Sequence, residues 1–214
     1  MKYSRAGPRS MRAIALGLSL LFLSTALAGC IEEEGGYTFN GNEYEAVGQA
    51  PDFNLTDPHG ENITLSQFRG KVVIVAFTYT ACPDVCLVIE ANMLHAATEV
   101  NSSDLILISI TIDPERDTPE HLANWTENQG YDWSHLSSEN TGELEAVYAD
   151  WHMLVIDETE HEEEEEYEVG HSTLTYIVDR AGDKRVVYSG VDWSAAELTE
   201  DLEHLLAETA TPED

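Results

Sequence analysis

The run Lys71-Val72-Val73-Ile74-Val75-Ala76-Phe77 constrains this chain most. It is apolar without alternation and rich in β-branched residues. A strand of that kind is covered on both faces, so the fold must set layers on either side of a sheet. Leu105 to Ile112 reads as a second buried strand. Between the two, residues 83–99 favour a helix, with Pro83 suited to the first turn. Thr118-Pro119-Glu120 opens another helix, and a shorter one is expected over 141–149. Residues 173–179 and 184–189 flank Arg180-Ala181-Gly182-Asp183, a hairpin signal. Ser194 with Glu197 forms a capping box before a last helix. Upstream, Phe53 and Leu55, then Ile63 and Leu65, alternate around the turn Asp57-Pro58-His59-Gly60. This order implies an α/β fold with a mixed central sheet flanked by helices.

The first 29 residues read as a targeting segment. Lys2, Arg5, Arg9 and Arg12 precede an apolar stretch from Ala13 to Ala28, and Leu27-Ala28-Gly29-Cys30 closes it. The last four resemble a lipobox, where cleavage leaves a lipid-bearing cysteine, here Cys30. The apolar stretch holds 16 residues, fewer than the ~20 that span a bilayer. That favours a lipoprotein-type signal over an uncleaved anchor. Either way the domain is placed at the membrane, on its extracytoplasmic face. Residues 30–48 are acidic and glycine-bearing and read as a tether. The compact domain is expected over 49–208, with a flexible tail at 209–214.

Charge narrows the partners. The formal net charge is −31, and residues 30–214 hold six basic against 41 acidic residues. Nucleic acid is excluded by repulsion. Such a charge destabilises a compact domain in dilute buffer. Molar salt shrinks the screening length to about 3 Å, and the composition resembles the proteome-wide habit of salt-loving archaea. The block 157–168, Asp157 to Glu168, is read as a solvated, salt-adapted loop.

With Cys30 consumed by lipid, Cys82 and Cys86 remain. Exported thiols tend to oxidise. Cys82 lies just past the central strand, at the edge where α/β folds place their sites. With Pro83 in the first turn, Cys82 would cap the helix and its thiol pKa would fall. Four residues of helix put the two α-carbons about 6 Å apart on one face. That separation suits a disulfide and equally suits one metal held by two sulfurs. His171 leads into the strand Ser172 to Ile177, but position alone does not single it out among eight histidines. Asp113 and Asp117 flank Pro114 and are read first as turn and cap residues, with support of a metal edge as the other reading.

Phe77-Thr78-Tyr79-Thr80-Ala81-Cys82-Pro83-Asp84-Val85-Cys86 resembles the copper motif of the SCO/SenC family. Ile110 to Pro119 resembles its second signature, and Val169-Gly170-His171-Ser172 with Tyr176-Ile177-Val178-Asp179 its third. The likeness spans residues 50 to 207 and implies a thioredoxin-like fold. It implies Cys82, Cys86 and His171 as ligands of Cu(I) or Cu(II), with the cysteines also able to form a redox-active disulfide. It implies delivery of copper to the CuA site of cytochrome c oxidase subunit II, or reduction of that site's cysteines. A copper donor or a thiol reductant is then a further partner. Leu87 stands where a proline commonly follows the second cysteine. Gly170 stands where an aspartate commonly precedes the histidine, and Glu168 is the candidate replacement.

Overall fold

The computed structural model describes residues 36–156 and 169–208. The chain divides into two units, Met1–Tyr37 and Thr38–Asp214. Of the first, only Gly36 and Tyr37 are described. The targeting segment, Cys30, the acidic block with Glu168, and the tail at 209–214 lie outside the described residues.

The second unit begins with β1 (Asn42–Gln49), the short pair β2 (Asn54–Thr56) and β3 (Asn62–Thr64), and the central β4 (Val72–Thr78). There follow α1 (Val85–Val100), β5 (Leu105–Thr111), α2 (Pro119–Gln129), β6 (Ser134–Leu136) and α3 (Thr141–Asp150). The remainder is β7 (Val155–Ile156), β8 (Gly170–His171), β9 (Leu174–Val178), β10 (Asp183–Ser189) and α4 (Ala195–Ala207). The main sheet runs β1-β10-β9-β4-β5-β6. β4 is parallel to β5 and antiparallel to β9, so the sheet is mixed. β7 and β8 form a separate antiparallel pair that sets Val155 opposite His171.

Why β4 is central follows from its side chains. All seven of its residues are buried. Val73, Val75 and Phe77 face one core with Tyr148, Trp151 and Tyr176. Val72, Ile74 and Ala76 face the other, against Ile89 and Met93 of α1 and Leu198 and Leu202 of α4. Period-two alternation splits one apolar run between two layers. Each large aliphatic side chain buried this way contributes roughly 1.5–3 kcal/mol.

Two expectations are corrected. The tether was expected to run to residue 48, but β1 already pairs with β10 from Asn42. Its side chains are mostly exposed, so no apolar alternation announced it. Backbone pairing and an anchor just upstream hold it instead. Buried Asp201 accepts from the Asn40 and Gly41 amides at 3.0 and 3.1 Å. The second correction concerns α1, which starts at Val85 and not in the turn at Pro83. Its cap is Asp84, whose carboxylate accepts from the Val85 amide at 2.6 Å, so Cys82 lies outside the helix.

Candidate metal centre

β4 delivers the loop 79–84 to its C-terminal edge, and α1 begins there. β9 runs antiparallel to β4, so the β8 hairpin that precedes it arrives at that same edge. The fold thereby closes the 85-position gap between Cys86 and His171. Among the described residues, Cys82, Cys86 and His171 form a group whose ligand atoms all lie within 4.8 Å of one another.

The thiols are buried, with 5% of Cys82 and 2% of Cys86 exposed, and both are free. The Cys86 amide donates to the Cys82 sulfur at 3.3 Å. The hydrogen bond from the Cys86 thiol, with further ones from His171 and the loop amides, holds the Cys82 thiol down at about 4, against the opposing effect of burial. Cys86 is pushed up, first by that same hydrogen bond and then by burial. The pair therefore holds one thiolate and one thiol near neutral pH, with Cys82 the nucleophile. For His171, burial favours the neutral ring, but the hydrogen bonds with Cys82 and the Ser172 carbonyl, together with the charge on Cys82, outweigh it and raise the pKa. Nδ1 lies 3.0 Å from the Ser172 carbonyl. A carbonyl only accepts, so Nδ1 carries the proton in the neutral ring and Nε2 keeps the lone pair a metal needs. Two soft sulfurs and one imidazole suit a thiophilic ion.

The surrounding residues brace this group. Tyr79 packs edge-on against His171 with ring centroids 5.8 Å apart, and the Arg116 guanidinium lies 5.7 Å from the centre of the Tyr79 ring. Burial, then the charge on Cys82, pushes the Tyr79 phenol up to about 12, so it stays neutral. Tyr79 and Thr80 were legible in the sequence only as letters of a motif. Their roles depend on chain segments far away.

Asp117 is wholly buried and does not cap α2, as the turn chemistry suggested. Thr118 is the cap, accepting from the His121 amide at 3.3 Å. The Asp117 carboxylate instead accepts from the Thr80 amide at 3.2 Å, from the Thr80 hydroxyl, and from the Thr111 hydroxyl at 2.6 Å. It ties the cysteine loop to the end of β5. Asp113 keeps the turn reading. Its carbonyl accepts from the Asp117 amide at 2.9 Å, and its carboxylate pairs with Arg116. A cavity of about 230 Å³ lies beneath β7, between Ile112, Leu144, Tyr148 and Val155. None of the three clustered side chains lines it.

The model of the family described as SCO1/SenC matches residues 42–207, most of the chain. This chain belongs to that family. A SCO2-like protein of Rickettsia typhi is 32% identical over 158 residues, covering 73% of this chain and 76% of its own length. The apo Sco1 protein of Thermus thermophilus superposes with a TM-score of 0.69 at 26% identity, over 80% of this chain and 99% of that one. The copper-bound ScoI of Bradyrhizobium japonicum gives 0.61 at 26% identity, over 74% of this chain and 100% of that one. The SCO1/SenC fold is thioredoxin-like, and the mixed sheet described above has that architecture. Leu87 and Gly170 sit in regular structure here, in the first turn of α1 and opposite Ile156 in β8.

Proposed function

We propose that this SCO1/SenC protein is a membrane-tethered copper chaperone. It binds one Cu(I) through the Cys82 and Cys86 sulfurs and His171 Nε2. It passes the ion to the CuA site of a cytochrome c oxidase subunit II or similar domain, acting at the extracytoplasmic face of the membrane. The N-terminal segment holds it there, by a lipid on Cys30 or by an anchor. The observation that carries this reading is the convergence of the three donors within 4.8 Å at one sheet edge. The copper in the Bradyrhizobium relative supports it. Two soft sulfurs and one imidazole suit a cargo that must be released, since an acceptor's thiolates can replace them one at a time.

Titrating the reduced full chain with Cu(I) in molar salt, against a competing chelator, tests the proposal. One tightly held ion per chain is expected, and no ion above the chelator's affinity would sink it.

The thiol pair favours a second reading, that of a thiol–disulfide oxidoreductase keeping the acceptor's cysteines reduced. The Cys82 thiolate attacks one sulfur of the acceptor disulfide and releases the other as a thiolate. Cys86 then loses its proton to solvent and attacks Cys82 in the mixed disulfide. The second acceptor thiolate departs, and the two electrons that reduce the acceptor disulfide come from Cys82 and Cys86, which end as a disulfide. Metal-free turnover of an oxidised acceptor domain would support this reading.

A further inference from the structure

We propose that Asn40-Gly41 is a succinimide-forming pair held in check by Asp201, and that its conversion to aspartate or isoaspartate releases β1 from the domain. The inference is independent of the copper reading. Glycine leaves its backbone nitrogen unshielded by any Cβ, and this is the one Asn-Gly pair in the chain. It stands directly before β1, where the domain takes hold of the chain.

The fold requires both residues. A Cβ at position 41 would lie 2.4 Å from Val186 Cγ1 and 2.9 Å from Tyr188 Cε2, so only glycine fits. Asn40 gives its side-chain amide to the Glu197 carbonyl at 3.3 Å, the Glu200 carboxylate at 3.1 Å and Asp201 Oδ1 at 3.2 Å. All three partners are acceptors, so an amide suits the position and a carboxylate does not. Asn40 is nevertheless exposed, so water and base reach it.

In the reaction, the Gly41 nitrogen loses its proton to a solvent base and attacks Asn40 Cγ. The new N–C bond closes a succinimide as the Cγ–Nδ2 bond breaks. Nδ2 takes a proton from water and leaves as ammonia. Water then opens the ring on either side, giving aspartate or isoaspartate. Asp201 opposes the first step twice. Its Oδ2 accepts the Gly41 N–H at 3.1 Å, so proton loss would set an amide anion against a carboxylate. Its Oδ1 holds the Asn40 side-chain amide. Nucleophile and electrophile are thus both tied to α4, and the Tyr188 hydroxyl fixes Asp201 from the sheet at 2.5 Å.

Conversion undoes the anchor. An aspartate side chain has no N–H for those three acceptors, and it faces Glu200 and Asp201 with like charge. Isoaspartate also adds a methylene to the backbone ahead of Gly41. The side chains of β1 are mostly exposed and the strand is held by pairing to β10, so little else retains it. Its 8 residues, once freed, add up to about 26–29 Å of extended chain to the segment upstream.

The test incubates the reduced, metal-free full chain in molar salt at mildly alkaline pH, folded or unfolded in denaturant. Peptide mass mapping follows the conversion of Asn40. The folded wild type should convert at least about tenfold more slowly than the unfolded chain, because the reaction waits on local opening. Asp201→Ala should recover most of the unfolded rate while still unfolding cooperatively in denaturant. Asn40→Asp carries the product. It should speed amide hydrogen exchange over residues 42–49 by about tenfold and leave residues 72–78 protected. Equal rates in the folded and unfolded wild type would overturn the proposal. So would a folded Asp201→Ala that converts as slowly as wild type, or unchanged exchange of β1 in Asn40→Asp.

Discussion

The Cys86 amide points at the Cys82 sulfur from 3.3 Å, four residues on and in the first turn of α1. Together with the hydrogen bond from the Cys86 thiol, which is the larger effect, it makes the two cysteines unequal. Cys82 carries the charge and Cys86 carries the proton, although the sequence offers two thiols of one kind.

In the reduced metal-free protein, thiolate absorbance should therefore appear in two well-separated steps. The first centres near pH 4, where Cys82 is placed, and Cys86→Ala should shift it upward because it removes the side-chain donor to Cys82. The second is far more alkaline. A single step of two thiolates above pH 8, the free-cysteine range of about 8.5, would contradict the arrangement.

His171→Ala removes a donor and not a support. Changes to residues behind a ligand already cost about 10–100-fold in metal affinity, so Cu(I) affinity should fall by ~100-fold or more, measured by chelator competition. Oxidation to the Cys82–Cys86 disulfide, followed by thiol counting, should remain intact. Unchanged affinity would remove His171 from the ligand set.

Asp117 links pH to stability. Burial raises its carboxyl above the usual range despite the hydrogen bonds from Thr111 and Thr80 that oppose it. A raised folded-state pKa means the folded chain holds the proton more tightly. The contribution is complete below the ordinary aspartate value of 3.8 and is lost as pH rises through the folded value. Melting temperatures of wild type and Asp117→Asn, compared at fixed salt, should thus diverge in favour of the variant as pH climbs from about 4. Asp117→Ala leaves the Thr80 and Thr111 donors without an acceptor and should destabilise by about 1–3 kcal/mol at any pH.

Asp201 anchors the start of the domain far from the metal centre. It accepts from the Asn40 and Gly41 amides at 3.0 and 3.1 Å and from the Tyr188 hydroxyl at 2.5 Å. Asp201→Ala should cost about 3 kcal/mol in denaturant unfolding, the order expected for a buried charged acceptor. Cu(I) affinity should stay as in wild type, because none of these groups touches Cys82, Cys86 or His171.

Elements with an apolar signature were legible before folding was considered. β4 and β5 appeared as buried runs, the capping box of α4 is present with both reciprocal hydrogen bonds, and the hairpin around Gly182 forms as its residues suggest. β1, β6 and the β7–β8 pair were not legible. β1 is an exposed edge strand, and the others span two or three residues. What holds them is backbone pairing to neighbours distant in sequence, which leaves no mark on local composition.

Side-chain chemistry and spacing by themselves determined the layered α/β class, the paired cysteines at a strand's end and the family likeness, because periodicity and ligand type are local properties. Only the folded chain decided that His171 stands within reach of both sulfurs and that Asp117 ties the cysteine loop to β5. Each of those depends on antiparallel and parallel pairing that carries remote segments to one edge of the sheet, and no window of sequence contains that distance.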